Sequence, residues 1–118
     1  MKTLVVIPNY NHSTYCRKLL KNIYYDILVI DDGCNTPFEV KDKAKNLTIY
    51  RNAHNKGKGF CIKVSSVYAI KNNYTHILTI DADMQHDPTY IDKFIEKSKN
   101  NIFVYGKRNF SVNMPKSR

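Results

Sequence analysis

No apolar run in this chain approaches the roughly 20 residues that cross a bilayer as a helix. The N-terminus passes from Lys2 through Leu4-Val5-Val6-Ile7 straight to Pro8, with neither a longer apolar core nor a small-residue cleavage site. That is a poor signal peptide, and a cytoplasmic protein is expected. Cysteine is scarce. Cys16, Cys34 and Cys61 are odd in number and show no C-x-x-C spacing, which argues against both a disulfide framework and a zinc site. Acidic residues are outnumbered, 10 Asp and Glu against 19 Lys and Arg, leaving a net charge of +9. A basic balance favours anionic partners, although a lysine-rich solvated surface accounts for most of it. No basic run alternates with aromatics and no nucleic-acid-binding motif occurs, so a nucleic-acid partner is not expected.

The 118 residues make one domain, near the small end for an enzyme, and the 42% hydrophobic and 12% aromatic shares are those of a globular chain. Short β-branched runs alternate with helical patterns throughout. Strands are expected at Thr3–Ile7, Asp26–Ile30, Leu47–Arg51, Thr75–Ile80 and Ile102–Tyr105. Between them lie a helix capped by Ser13 with Cys16, Leu19, Leu20 and Ile23 inward, and a weaker helix over Phe38–Lys45. A third helix has Phe60, Val64, Val67 and Tyr68 as its apolar stripe and ends near Asn72–Asn73. A fourth opens at Pro88 with Ile91, Phe94 and Ile95 inward. This alternation predicts an α/β fold, a mostly parallel sheet with helices on both faces. Ligands in such sheets bind beyond the carboxyl ends of the strands.

The polar motifs fall at those ends. The most informative is Asp81-Ala82-Asp83-Met84-Gln85-His86-Asp87-Pro88, where an apolar strand gives way to carboxylates. Alternate residues of an extended segment point the same way, so Asp81, Asp83 and Gln85 can converge on a hard cation such as Mg²⁺ or Mn²⁺. Asp31-Asp32-Gly33 closes the second strand, where a carboxylate can accept bonds from a ribose hydroxyl or base N–H. An Asx turn that merely ends the strand explains the same residues equally well. Asn55-Lys56-Gly57-Lys58-Gly59 opens a helix, and glycines there let backbone N–H groups approach an anion. Taken alone it is more often a flexible basic turn, and it fits neither the P-loop nor the dinucleotide fingerprint, since Ile62 stands where the third glycine would be. Pro8-Asn9-Tyr10-Asn11 alone reads as an ordinary turn. His12, His54 and His76 lack partners at metal spacing. Cys16 reads as core, and Cys34, in a loop, as the one candidate for a reactive thiol.

Together the four loops resemble the family 2 glycosyltransferases of GT-A fold, in order and spacing, from Thr3 to about Arg108. The resemblance implies that Pro8, Asn9, Tyr10, Asn11, Asp31 and Asp32 contact the base and ribose of a UDP- or GDP-sugar. It implies that Asn55, Lys56 and Gly57 line the nucleotide site, and that the Asp81-Ala82-Asp83 segment meets the diphosphate through a divalent metal. Gln85 and His86 look most like the subgroup that transfers sugars to polyprenyl phosphates, in which Gln85 would also reach the metal. Arg108, in Gly106-Lys107-Arg108, would contact a phosphate. An inverting transfer follows, with the acceptor a lipid phosphate at the cytoplasmic face of a membrane. Residues 1–109 would be the nucleotide-sugar-binding part, and 110–118 a basic tail that begins an acceptor-binding half absent here. No residue stands out as a catalytic base.

Rival readings belong to other classes. A phosphorylatable receiver domain is of similar length, and Asp31, Asp32, Asp81 and Lys107 imitate its functional set. Its acidic pair, however, follows the first strand. A phosphatase of the haloacid-dehalogenase type needs Thr or Val where Gln85 stands. A non-catalytic nucleotide-sugar-binding module of the same fold is the third.

Overall fold

A computed structural model describes residues 2–82, together with residues 93 and 96. Of the expected helix from Pro88 only Lys93 and Glu96 are described, and both are helical. The strand Ile102–Tyr105 and the basic tail lie outside the described residues, as do Asp83, Gln85, His86 and Arg108. The described elements are β1 (Thr3–Asn9), α1 (Ser13–Leu20), β2 (Asp26–Asp32), β3 (Leu47–Asn52), α2 (Lys58–Lys71) and β4 (His76–Thr79). The strands form one sheet in the order β3-β2-β1-β4, and every pairing is parallel.

The central strands are apolar without alternation because both their faces are covered. On one face Leu4, Val6, Leu28 and Ile30 pack against Cys61 and Ala69 of α2. On the other, Val5, Ile7, Ile27 and Val29 pack against Cys16, Leu19, Ile23 and Phe38. Eight residues are too few for an isolated helix to persist in water, so α1 depends on burying Cys16 and Leu19 against β1. β4 is pinned beside β1 by Lys2, whose carbonyl accepts the N–H groups of Thr75 at 2.8 Å and His76 at 3.1 Å.

Three sequence expectations are corrected. No helix forms over Phe38–Lys45, because this segment spends its polar groups on the sheet. Phe38 N–H donates to Asp31 Oδ2 at 2.8 Å and Lys43 Nζ to the Leu47 carbonyl at 2.7 Å, while Asp42 turns the chain at φ 51°. Phe38 itself is buried as a plug of the core. In α2 the inward residues are Cys61, Ser65 and Ala69, flanked by Val64 and Tyr68, whereas Phe60 and Val67 face outward. Small side chains let the helix lie close to the sheet, with Val64 and Tyr68 at the margins of the contact. At α1 the capping position is His12, not Ser13. Asn9 Oδ1 accepts the His12 N–H at 2.9 Å, and Asn9 Nδ2 donates to Ser13 Oγ at 3.1 Å.

Candidate functional site

β2 ends in two adjacent carboxylates that point to opposite sides of the sheet. Asp31 serves the crossover to β3. Its Oδ1 accepts the Cys34 N–H at 2.8 Å, and its Oδ2 accepts the Phe38 N–H at 2.8 Å and the Arg51 guanidinium at 2.6 Å. Asp32 serves the loop between β3 and α2. Its Oδ1 accepts Asn52 Nδ2 at 2.8 Å and the Lys56 N–H at 2.9 Å, while its Oδ2 accepts Asn55 Nδ2 at 3.1 Å and the Gly57 N–H at 2.9 Å. Burial pushes both carboxyls up, but these donors outweigh it and hold both below the usual aspartate value. Gly33, at φ 76°, follows them. A Cβ there would stand 2.5 Å from the Asn55 nitrogen, so only glycine lets the two loops approach.

The β1 loop is tied to the same framework. Asn9 is fully buried and its amide is used within the loop. Asn11 adopts φ 62°, and its Oδ1 accepts the Asn35 N–H at 2.8 Å. Between the two loops the Cys34 sulfur accepts the Asn11 N–H at 3.2 Å and donates to the Asn9 carbonyl at 3.3 Å. Burial raises the Cys34 thiol above its ordinary value and pushes Cys16 and Cys61 up to about 12. Cys34 is a structural link rather than a reactive thiol.

All four strand-end loops meet at a cavity of about 250 Å³. Pro8, Asn9, Tyr10 and His12 line it after β1, Asp32 after β2, Asn55, Gly57 and Lys58 before α2, and Asp81 and Ala82 after β4. The order β3-β2-β1-β4 reverses direction at β1, so this crevice is the topological switch point where open parallel sheets take their ligands. A larger cavity, about 690 Å³, opens at the opposite ends of β2 and β3, beside Ile27 and Leu47 and away from these loops.

Eight of the residues singled out in the sequence therefore converge: Pro8, Asn9, Tyr10, Asp32, Asn55, Gly57, Asp81 and Ala82. Asn11, Asp31 and Lys56 do not line the cavity. The first two brace the loops from behind, and the Lys56 ammonium lies 5.4 Å from the Phe60 ring centre. Two lining residues were missed. Lys58, at the first position of α2, forms an ion pair with Asp81 Oδ1. Its signal was present, since it directly follows Asn55-Lys56-Gly57, whereas nothing in the sequence marks His12. Among the described residues no three His, Cys, Asp or Glu side chains gather in a metal-binding group. Asp83 and Gln85, the other members of the expected metal set, lie outside them. Among the described residues, too, no helix is long and apolar enough to cross a membrane.

A parallel sheet with helices packed on it, and with its polar loops gathered across the switch point, defines an α/β domain of the Rossmann-like GT-A kind. The chain belongs to glycosyl transferase family 2, whose family model matches residues 4–116. Two uncharacterized proteins of Methanocaldococcus jannaschii are similar. One is 34% identical over 119 residues, covering 91% of this chain and 52% of that protein. The other is 29% identical over 96 residues, covering 78% and 40%. A dolichol-phosphate mannosyltransferase of Pyrococcus furiosus is 30% identical over 119 residues, covering 85% of this chain and 31% of that enzyme. The chain thus spans about half or less of the length of the curated relatives it matches.

Proposed function

We propose that this chain is the donor-binding part of an inverting glycosyltransferase that takes a UDP- or GDP-sugar with Mg²⁺ or Mn²⁺ and passes the sugar to a lipid phosphate. The observation that carries the reading is the convergence of four loops on one cavity, with the Tyr10 ring and the Asp32 and Asp81 carboxylates among its lining residues. Tyr10 is 45% exposed there and offers a face to the base. Pro8 and Asn9 shape the wall beside it. Asp32 fixes Asn55, Lys56 and Gly57 and borders the nucleoside, and Asp31 and Asn11 act at one remove, by holding the loops.

The donor set suits a divalent cation. Asp81 lies two residues beyond β4 beside the cavity, and its carboxylate already carries a cation in the form of the Lys58 ammonium. Asp81, Asp83 and Gln85 would hold the metal, which when bound supplies positive charge against the departing nucleoside diphosphate. The first turn of α2 carries no acidic residue, which keeps that edge favourable for phosphate. In the transfer the anomeric carbon loses its bond to the diphosphate oxygen and gains one to the acceptor oxygen on the opposite side. The relative named as a dolichol-phosphate mannosyltransferase supports a polyprenyl-phosphate acceptor, as do Gln85-His86 and Gly106-Lys107-Arg108. Arg108 is the proposed phosphate contact, and the acceptor would place the work at a membrane surface.

Calorimetric titration with UDP, GDP and their sugars, with and without Mn²⁺, tests the reading. Metal-dependent binding is expected for one nucleotide and is expected to vanish in Asp81→Asn. Failure to bind any nucleotide would overturn the proposal, and phosphorylation by acetyl phosphate would point to a receiver domain instead.

A further inference from the structure

We propose that Lys58 is a counter-ion that changes partners: it neutralises Asp81 while no donor is bound, and moves to the donor's diphosphate when a divalent cation takes Asp81. The inference rests on the donor-binding reading above and adds a phosphate-binding residue to it.

Lys58 and Asp81 lie 23 positions apart, on different loops, and meet across the cavity. The Asp81 side chain is 19% exposed and that of Lys58 61% exposed, so the carboxylate is fixed at a wall while the lysine stem has room to swing. The backbone under that stem is held, because the preceding Gly57 N–H is committed to Asp32. Lys56, the other cation of the loop, has its ammonium over Phe60 and is turned away from the cavity. Lys58 is thus the lysine of this loop that faces inward. Its residue type suits exchange, since an ammonium is a point charge with three rotatable donors, whereas an arginine would lock a carboxylate in a planar fork.

Charge balance completes the argument. Asp81 and Lys58 pair across the cavity, one charge against the other. A divalent cation on Asp81 displaces the ammonium, and the arriving diphosphate brings negative charge to the same small volume. The released ammonium then finds its partner there without leaving the cavity.

The test compares the full chain with Lys58→Met and Lys58→Arg in two measurements. The first is Mn²⁺ binding without nucleotide, read from the electron paramagnetic resonance of free Mn²⁺. The second is UDP and GDP binding at saturating Mn²⁺, by calorimetry. Lys58→Met is expected to bind Mn²⁺ alone several-fold more tightly, and the diphosphate about tenfold more weakly, as loss of a charge-assisted phosphate contact requires. The arginine variant should keep the diphosphate. Opposite signs in the two measurements are the signature. Unchanged or weaker Mn²⁺ binding, or unchanged diphosphate binding, in a Lys58→Met protein with wild-type circular dichroism would overturn the exchange alone. A wild-type chain that binds Mn²⁺ and no nucleoside diphosphate would overturn the donor reading and the exchange with it.

Discussion

Arg51 stands directly across the β2–β3 ladder from Asp31, and its guanidinium meets the carboxylate at 2.6 Å while also reaching the Cys34 carbonyl at 3.2 Å. Replacing it by methionine leaves Asp31 buried with two backbone donors. Removing one partner of a fully buried pair costs about 3–5 kcal/mol. The Arg51 side chain is 37% exposed and the backbone donors remain, so a smaller loss of about 1–2 kcal/mol is expected. Urea unfolding measures it. A midpoint unchanged from wild type would show that the pair contributes nothing.

Acid should destabilise the domain once pH falls below the ordinary aspartate range. Asp31 and Asp32 both titrate below their ordinary value of 3.8 in the folded chain. As pH falls past that value the unfolded chain takes up protons first, so their stabilisation is complete above it and drains away as pH drops towards the folded values. Each carboxyl contributes a slope of at most about 1.4 kcal/mol per pH unit in that window. Urea midpoints between pH 6 and pH 3 should be flat at first and then fall, and Asp32→Asn should fall less steeply. Equal slopes for the variant and wild type would remove Asp32 from the account.

Gly33, in a loop, and Gly59, in the first turn of α2, should respond oppositely to alanine. At Gly33 the new Cβ meets the backbone of His54 and Asn55 at 2.6 and 2.5 Å, in a left-handed conformation. Strain and overlap together should cost about 2–4 kcal/mol. At Gly59 nothing lies within 4 Å of the new Cβ, and the residue is already helical. There alanine should be neutral or stabilise by about 0.5–1 kcal/mol. Thermal unfolding of the two variants separates the cases, and a Gly33→Ala protein as stable as wild type would refute the close approach of the loops.

The strands themselves were legible because apolar β-branched runs of this length admit few alternatives, but their ends were not: β1 runs through Pro8 to Asn9 and β2 through Asp31 to Asp32, two residues beyond the expected stops. The cavity lies just past these true ends. The helices were less legible. Phe60 and Val67 looked like core by spacing, but spacing cannot register that Cys61, Ser65 and Ala69 allow a closer approach to the sheet. The crossover after Gly33 looked helical over Phe38–Lys45 because pattern alone does not reveal that Asp31, on the neighbouring strand, claims the Phe38 N–H. Lys58 stood within the glycine-rich loop, but its pairing with Asp81 was not legible, since the partner is 23 residues away. What the sequence hides here is competition for donors and acceptors between segments.

Asp31 and Asp32 look like duplicates in the sequence, yet each anchors a loop on its own side of the sheet. Strand geometry makes that assignment depend on parity. Inserting or deleting a single residue in β2 would send each carboxylate to the wrong face, with the Arg51 partner on one side and the Asn52, Asn55 and Gly57 partners on the other left unmatched. β2 should therefore tolerate only substitutions that preserve its reading frame. The pair behaves as a two-sided fastener whose correct seating is counted in single residues.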